Sequence, residues 1–289
     1  MSPLLTKRAV AGLPLDVHFR EGDYAHVYCG LTRVVVVHHV RKSLWVSAHK
    51  RYRSQACGTG LFRAWSTTED GFADALEQYL VGVAVRQADV SREGAVQSTW
   101  ASVTSPWTPF DREAVLGYVD KPARKKARAF AEIAAVRAEI EHLRTRGRRW
   151  APMPVGKVGA KLDQLAVDPR GRLVLIELKH AGASPQSVYY SPLQLLQYVC
   201  EWAMAFESVR DGLRALIAAR KTIGLSPSDT PEFDRGFRPV IGFGPDTRSG
   251  EVRARFGDVL SIANQHLPEG VSPIEVWSIE TQTQPVRIA

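Results

Sequence analysis

Residues 163–179 read DQLAVDPRGRLVLIELK, and this stretch decides the fold. Two runs rich in apolar residues flank Pro169-Arg170-Gly171, a turn in which proline fixes φ and glycine tolerates a positive value. The pattern predicts a tight β-hairpin. With Arg170 at its midpoint, Asp163 and Glu177 are equidistant from the turn and face each other. Directly opposed residues share one face, with Cβ atoms about 5 Å apart. Lys179, two residues beyond Glu177, falls on that face too. Opposed carboxylates repel unless a cation lies between them, and a divalent metal with oxygen ligands meets that need. The same register sets Lys161 opposite Lys179, so the four charges could equally form a surface lattice of ion pairs, each worth about 0–1 kcal/mol. A bulge at Gly171 would shift the pairing and remove the opposition. Against the lattice stand Leu173, Val174, Leu175 and Ile176. They are apolar on both faces, as in a central buried strand, and they put the charges at its C-terminal end, where open α/β sheets bind ligands.

Asp163, the residues that follow it and Glu177-Leu178-Lys179 resemble the core signature of the PD-(D/E)xK nuclease superfamily. Gln194-Leu195-Leu196-Gln197-Tyr198 resembles the QxxxY motif of the branch that includes RecB-type nuclease domains. Lys161-Leu162 precedes Asp163 where the family name would put proline, a frequent substitution. The resemblance spans roughly residues 123–200. It implies an α/β, restriction-endonuclease-like fold, a mixed central sheet flanked by helices. It also implies a Mg2+- or Mn2+-dependent nuclease that hydrolyses phosphodiester bonds of nucleic acid, chiefly DNA, in repair or defence against foreign DNA. A protein of the same fold that binds nucleic acid or scaffolds without turnover, or a nuclease directed at RNA, stands as the alternative.

By this resemblance Asp163, Glu177 and the backbone carbonyl of Leu178 would hold the metal, and Lys179 would orient the attacking water or stabilise the transition state. Gln194 and Tyr198, one helical turn apart on one face, would position the metal site or the nucleic-acid backbone. The residues themselves leave open a plain helix with Leu195, Leu196, Val199 and Trp202 inward and its polar side in solvent. Many members add a third acid on a helix before the hairpin. Residues 123–146, ARKKARAFAEIAAVRAEIEHLRTR, predict an amphipathic helix with Phe130, Ile133, Val136, Ile140 and Leu143 as its apolar stripe. Glu132, Glu139 and Glu141 border the stripe. Glu132 is assigned as the third ligand, since its distance before Asp163 suits a helix followed by one strand. Any of the three could instead be a surface partner of Arg128, Arg137 or His142.

The formal net charge of +8 is concentrated. Between Lys121 and Trp150 stand ten Lys or Arg residues against three glutamates. Arg124, Lys125, Lys126 and Arg128 open the predicted helix, where cations oppose its dipole. Phosphate contact explains them better, because clustered cations bind nucleic acid through counterion release without reading sequence. Lys161 is assigned to the same surface, and a solvated helix face is the plain alternative. A homodimer or a partner protein would suit action on both strands of a duplex, although no interface signature is evident.

The composition, 45% hydrophobic and 24% charged, is that of a globular chain with a proper core. No apolar run reaches the length of about 18–20 residues that a membrane span needs, and residues 1–15 lack a secretory pattern. The three cysteines, Cys29, Cys57 and Cys200, match neither a zinc site nor a disulfide framework, which points to the cytoplasm. Residues 1–108 are expected to form a β-rich N-terminal module and residues 109–289 the nuclease-like domain. In the module, Tyr24–Cys29, Thr32–His39 and Ser43–Lys50 predict an antiparallel meander and Phe72–Val85 a helix. Ser91–Pro109, rich in Ser, Thr, Gly and Pro, predicts a linker. His18, His38, His39 and His49 lack ligand spacing. Lys50, Arg51, Arg53 and Arg63 among Trp45, Tyr52 and Trp65 suit either a nucleic-acid surface or ordinary edge-strand charges. Beyond Tyr198, Ser208–Lys221 and Glu251–Gln265 predict helices, Arg238–Phe243 and Ile274–Ile279 strands, and Thr222–Phe237 an exposed loop.

Overall fold

The structure is a computed structural model that describes residues 9–10, 13–20, 24–30, 32–40, 43–49, 52, 65–68, 70–87, 92–103, 105–116, 131, 133–146, 150–154, 161–222, 224–225, 231–233, 236–244, 250–279 and 284–289. The chain is α/β and divides into two compact units, Met1–Ser102 with Ala218–Ser228, and Val103–Ile217 with Asp229–Ala289.

The first unit contains an antiparallel sheet of β1 (Ala9–Val10), β2 (Leu13–Arg20), β3 (Tyr24–Cys29), β4 (Thr32–Val40), β5 (Ser43–Ala48) and β6 (Trp65–Ser66), paired in sequence order. Alternation puts Val17, Ala25, Val27, Val35 and Val46 on one face, against Phe72, Leu76, Tyr79, Leu80 and Val83 of α1 (Phe72–Gln87). The Tyr79 hydroxyl donates to the Val34 carbonyl at 2.7 Å, which satisfies a polar atom that α1 buries on this face. The expected linker is instead largely ordered. Arg92–Ala101 is a helix, α2, which packs on β2, and Thr108–Ala114 is a strand, β7. Its Ser and Thr content is misleading because the apolar residues Val96, Trp100, Val103, Trp107 and Phe110 are all buried. The Thr99 hydroxyl donates back to the Ala95 carbonyl within the helix.

The second unit is built on a mixed sheet in the order β12-β11-β10-β9-β8-β7. Here β8 is Leu162–Val167, β9 Leu173–Lys179, β10 Phe237–Phe243, β11 Glu275–Ser278 and β12 Val286–Arg287. β9, β10 and β11 run parallel, and β7, β8 and β12 antiparallel to their neighbours. Parallel neighbours need helical crossovers. These are supplied by α4 (Pro185–Tyr189) with α5 (Ser191–Thr222), and by α6 (Gly250–Gln265). Every residue of β9 and β10 is buried, the charged Glu177, Lys179 and Arg238 among them. α3 (Ala134–Thr145) buries Val136 and Ile140 and packs on α6; positions 123–130 of the expected longer helix lie outside the described residues.

Two further expectations are corrected. α5 is one continuous helix with no break before Ser208, because that serine donates back to the Ala205 carbonyl at 2.6 Å rather than capping a new helix. Thr222–Phe237 is not wholly an exposed loop, since Phe233 is buried against Phe110 and Phe206. No helix among the described residues is long and apolar enough to cross a membrane.

A charged network clamps the hairpin turn. Gly171 adopts φ +79°, and its N–H donates to the Asp168 carbonyl. Asp168 Oδ1 accepts the N–H groups of Arg170 and Arg172, and Oδ2 accepts from the Arg172 guanidinium at 2.8 Å. Arg238, packed over the edge-to-face pair of Trp107 and Trp277, makes a two-pronged pair with Glu275 and lies 3.5 Å from Asp168. Burial alone would raise the Glu275 carboxyl, but hydrogen bonds from Arg238 and Trp277 outweigh it and hold the group below its ordinary range. Asp168→Ala strips the turn of its acceptors and is expected to cost about 2–4 kcal/mol, against about 1 kcal/mol for Asp168→Asn, which keeps one acceptor oxygen. Urea unfolding midpoints at unchanged slope measure the difference.

Candidate active site

β8 and β9 pair as Gln164↔Ile176, Leu165↔Leu175, Ala166↔Val174 and Val167↔Leu173, the expected register, undisturbed by Gly171. The observed pairing ends at Gln164↔Ile176, one step short of Asp163 and Glu177. On β9, Glu177 and Lys179 follow Leu173 and Leu175 on one face, and both are buried, at 2% and 6% exposure. The Lys179 ammonium lies 2.6 Å from Glu177 Oε1. It also donates to Gln194 Oε1 at 3.2 Å, and Gln194 Nε2 donates to the Tyr198 hydroxyl oxygen at 3.1 Å. Asp163 Oδ2 accepts the Leu178 N–H at 2.8 Å, which ties it to β9 one residue past Glu177. The structure thus brings Asp163, Glu177, Leu178, Lys179, Gln194 and Tyr198 together at the C-terminal end of the central strand.

The local sequence explains the approach of the helix. After β9 the chain turns at His180–Ala183, where the Ala183 N–H returns to the His180 carbonyl. Ser184 then caps α4 by accepting the Ser187 N–H, with Pro185 at the first helical position. α5 follows at once, and its Gln194 N–H bonds the Tyr190 carbonyl. Gln194 and Tyr198, four residues apart, share the side that meets Lys179. Leu195, Leu196 and Val199 are fully buried in the core. The plain reading of a solvent-facing polar side fails at Tyr198, which is 4% exposed.

The surface-lattice reading fails as well. Lys161 is exposed and pairs with Glu113 at 3.3 Å, while Lys179 turns inward. Burial raises the Tyr198 hydroxyl well above the ordinary tyrosine range. The nearby Glu177 carboxylate adds to the shift, the Gln194 hydrogen bond partly opposes it, and Asp163 and Glu201 reinforce it. Tyr198 is therefore a neutral hydrogen-bond donor at physiological pH, not a base.

Glu132, Arg124, Lys125, Lys126 and Arg128 lie outside the described residues. The other two glutamates of that helix are committed elsewhere, Glu139 to His266 at 3.0 Å and Glu141 to Arg144 at 2.8 Å. His18 is paired with Asp16, and His38 lies 3.4 Å from the Ser47 hydroxyl. Among the described residues no group of three or more His, Cys, Asp or Glu side chains is placed to hold a metal ion. The fit to a divalent cation rests on a smaller set of hard oxygen donors. Asp163 and Glu177 both act on the Tyr198 hydroxyl, and Glu177 Oε2 is buried with no hydrogen-bond partner among the described residues. A buried carboxylate oxygen without a donor is costly, and a cation is the partner its chemistry asks for. The sequence reading missed Glu201, a buried acid bonded to Gln197 at 3.0 Å; its signal was the same four-residue helical spacing.

No protein-family model matches the chain, and no curated protein matches it. Among solved structures, SfsA of Pyrococcus furiosus in complex with Ca2+ aligns with 95% of this chain and 92% of its own, at 12% identity and a TM-score of 0.21. A likeness at that level carries no argument for mechanism.

The Tyr198 shift has a measurable sign. Its folded value lies above its unfolded one, so neutral Tyr198 contributes stability that is whole below pH about 10 and declines as the pH rises above that value. Tyr190, pushed up to about 12 by burial, shares the decline. Tyr198→Phe is expected to flatten part of it. The readout is the thermal midpoint from about pH 9 to 11, relative to neutral pH. An unchanged alkaline slope would show that the hydroxyl is not desolvated.

Proposed function

We propose that the chain is a metal-dependent nuclease that hydrolyses phosphodiester bonds, with DNA as its substrate. The observation that carries this reading is the buried oxygen of Glu177 that has no hydrogen-bond partner among the described residues, near Asp163 and Lys179 at the end of the central strand. A divalent cation such as Mg2+ or Mn2+, held by Asp163, Glu177 and the Leu178 carbonyl, with Glu132 as the further acid, would neutralise the scissile phosphate and acidify the attacking water. Lys179, held between Glu177 and Gln194, keeps an ammonium where negative charge grows on the phosphoryl oxygens and where the attacking water must be oriented. Tyr198 accepts from Gln194 and stays neutral, so its own proton is available for a phosphate oxygen. Burial of Glu177 and Lys179 lowers the local dielectric and strengthens each of these interactions.

Charge supports the substrate class. Asp163 and Glu177 against the Lys179 ammonium leave one negative charge, and Glu132 as the further acid makes it two. A divalent cation then brings the site to neutrality, and the basic residues around it must meet the charge of the phosphodiester. Arg124, Lys125, Lys126, Arg128 and Lys161 would draw in the polyanion by counterion release. Repair or defence against foreign DNA are the settings that the superfamily resemblance suggests.

The test offers plasmid, single-stranded DNA and RNA to the protein with Mg2+ or Mn2+. Cleavage of DNA is expected, with Glu177→Ala and Lys179→Ala each slowing it by about 100-fold or more while binding persists. Binding without cleavage in either metal would establish a scaffold or nucleic-acid-binding protein. Cleavage of RNA alone would redirect the assignment to an RNA-directed nuclease.

A further inference from the structure

We infer that Lys179 is the resident counter-cation of this site, and that a divalent ion loads by displacing it from Glu177 rather than by adding to it. The inference rests on the metal-site reading above and concerns how that site is regulated.

Three observations carry it. First, the Lys179 ammonium occupies Glu177 Oε1 at 2.6 Å, with the two side chains 7% and 3% exposed. An ammonium at hydrogen-bond distance already neutralises most of that carboxylate. A divalent ion on Oε2 of the same group would lie within a few ångströms of the ammonium, where water is too scarce to screen the repulsion. Second, Glu177 Oε2 has no hydrogen-bond partner among the described residues, so an incoming cation has an unclaimed point of first contact. Third, Lys179 has a second acceptor. Gln194 Oε1 lies 3.2 Å from its Nζ, and Gln194 is itself fixed by its bond to Tyr198. The ammonium can therefore leave Glu177 and remain hydrogen-bonded, poised beside the phosphate. Gln194 acts here as a positioning residue: it sets how readily the exchange occurs.

Binding energetics separate an exchange from an addition, with no need for turnover. Lys179→Gln removes the competing cation and is expected to tighten Mn2+ binding by about tenfold. Without metal the same variant leaves Glu177 unpaired and melts below the wild type; saturating Mn2+ recovers the loss and gives the larger thermal shift of the two proteins. Gln194→Ala keeps the Lys179–Glu177 pair but removes the fallback acceptor, and is expected to weaken Mn2+ binding by about threefold. Isothermal titration with MnCl2 alone, cross-checked by the electron paramagnetic resonance signal of free Mn2+, gives the affinities.

The outcomes separate the two claims. Tighter binding in Lys179→Gln with weaker binding in Gln194→Ala supports the exchange. So does binding seen in Lys179→Gln and absent from the wild type. Wild-type binding that is equal or weaker in Lys179→Gln, or unchanged in Gln194→Ala, overturns the exchange and leaves the metal site standing. No Mn2+ uptake by any of the three proteins overturns the metal site and the exchange together. Should Lys179→Gln fail to fold, Gln194→Ala alone decides the matter by whether its affinity falls.

Discussion

A carboxylate and an ammonium buried together on a central strand are the constraint on which the second unit turns. Taking two charges out of water costs several kcal/mol per ion, and their attraction repays that only with close geometry and further hydrogen bonds. Glu177 and Lys179 meet part of that demand, with a 2.6 Å contact and a second bond from Lys179 to Gln194. Glu177 Oε2 does not. A pair of apolar side chains here would be at least as stable, so packing gives no reason for the pair to exist. The proposed metal chemistry would give one, and the surrounding structure holds the pair in place.

That arrangement works from the opposite end of the hairpin. A one-residue slip of β8 against β9 would turn Asp163 away from Glu177 and drive Leu165 off the core face. The slip is blocked at the turn, where Asp168 gathers two backbone N–H groups and the Arg172 guanidinium. Arg238 extends the clamp across the sheet to Glu275 on β11, with the Trp107–Trp277 pair packed against it. One charged network thus fixes the register, and the register delivers a second set of charges to the other end of the strand.

The features that were legible in the sequence are those whose cause is local. The hairpin follows from a turn triplet between apolar runs, and its register follows from the position of Arg170. Gln194 and Tyr198 share a face because of helical spacing alone. The clamp was not legible. Arg238 sits in the run FRPVIGF, which reads as a plain buried strand, and its partners Trp107, Asp168 and Glu275 are remote in sequence. β7, TPFDREA, carries two acids and a proline and has no β-like composition; its place at the edge of the sheet is what makes Pro109 acceptable there. α2 was hidden by its Ser, Thr and Gly content, since composition does not reveal that Val96 and Trp100 would find a surface to cover. The continuity of α5 through Ser208 was lost for a related reason, because a serine can cap a helix or bond back into one.

Gln194 shows how narrow the chemical choice at such a site is. Its side chain must accept from an ammonium and donate to a phenolic oxygen at once, which demands both functions on one rigid group. Glutamate would accept but could not donate when ionised, and it would bring a further negative charge to the site. Leucine would fill the volume but remove the amide oxygen that now lies 3.2 Å from the Lys179 ammonium. Asparagine carries the same amide on a stem one methylene shorter, and from the same backbone position it would fall short of a lysine 3.2 Å from the existing oxygen. A neutral amide of this length holds the lysine without trapping it, and it leaves the Tyr198 proton unspent. Gln194 and Tyr198 meet Lys179 as neutral hydrogen-bonding groups, so they add no charge where Glu177 and Lys179 pair.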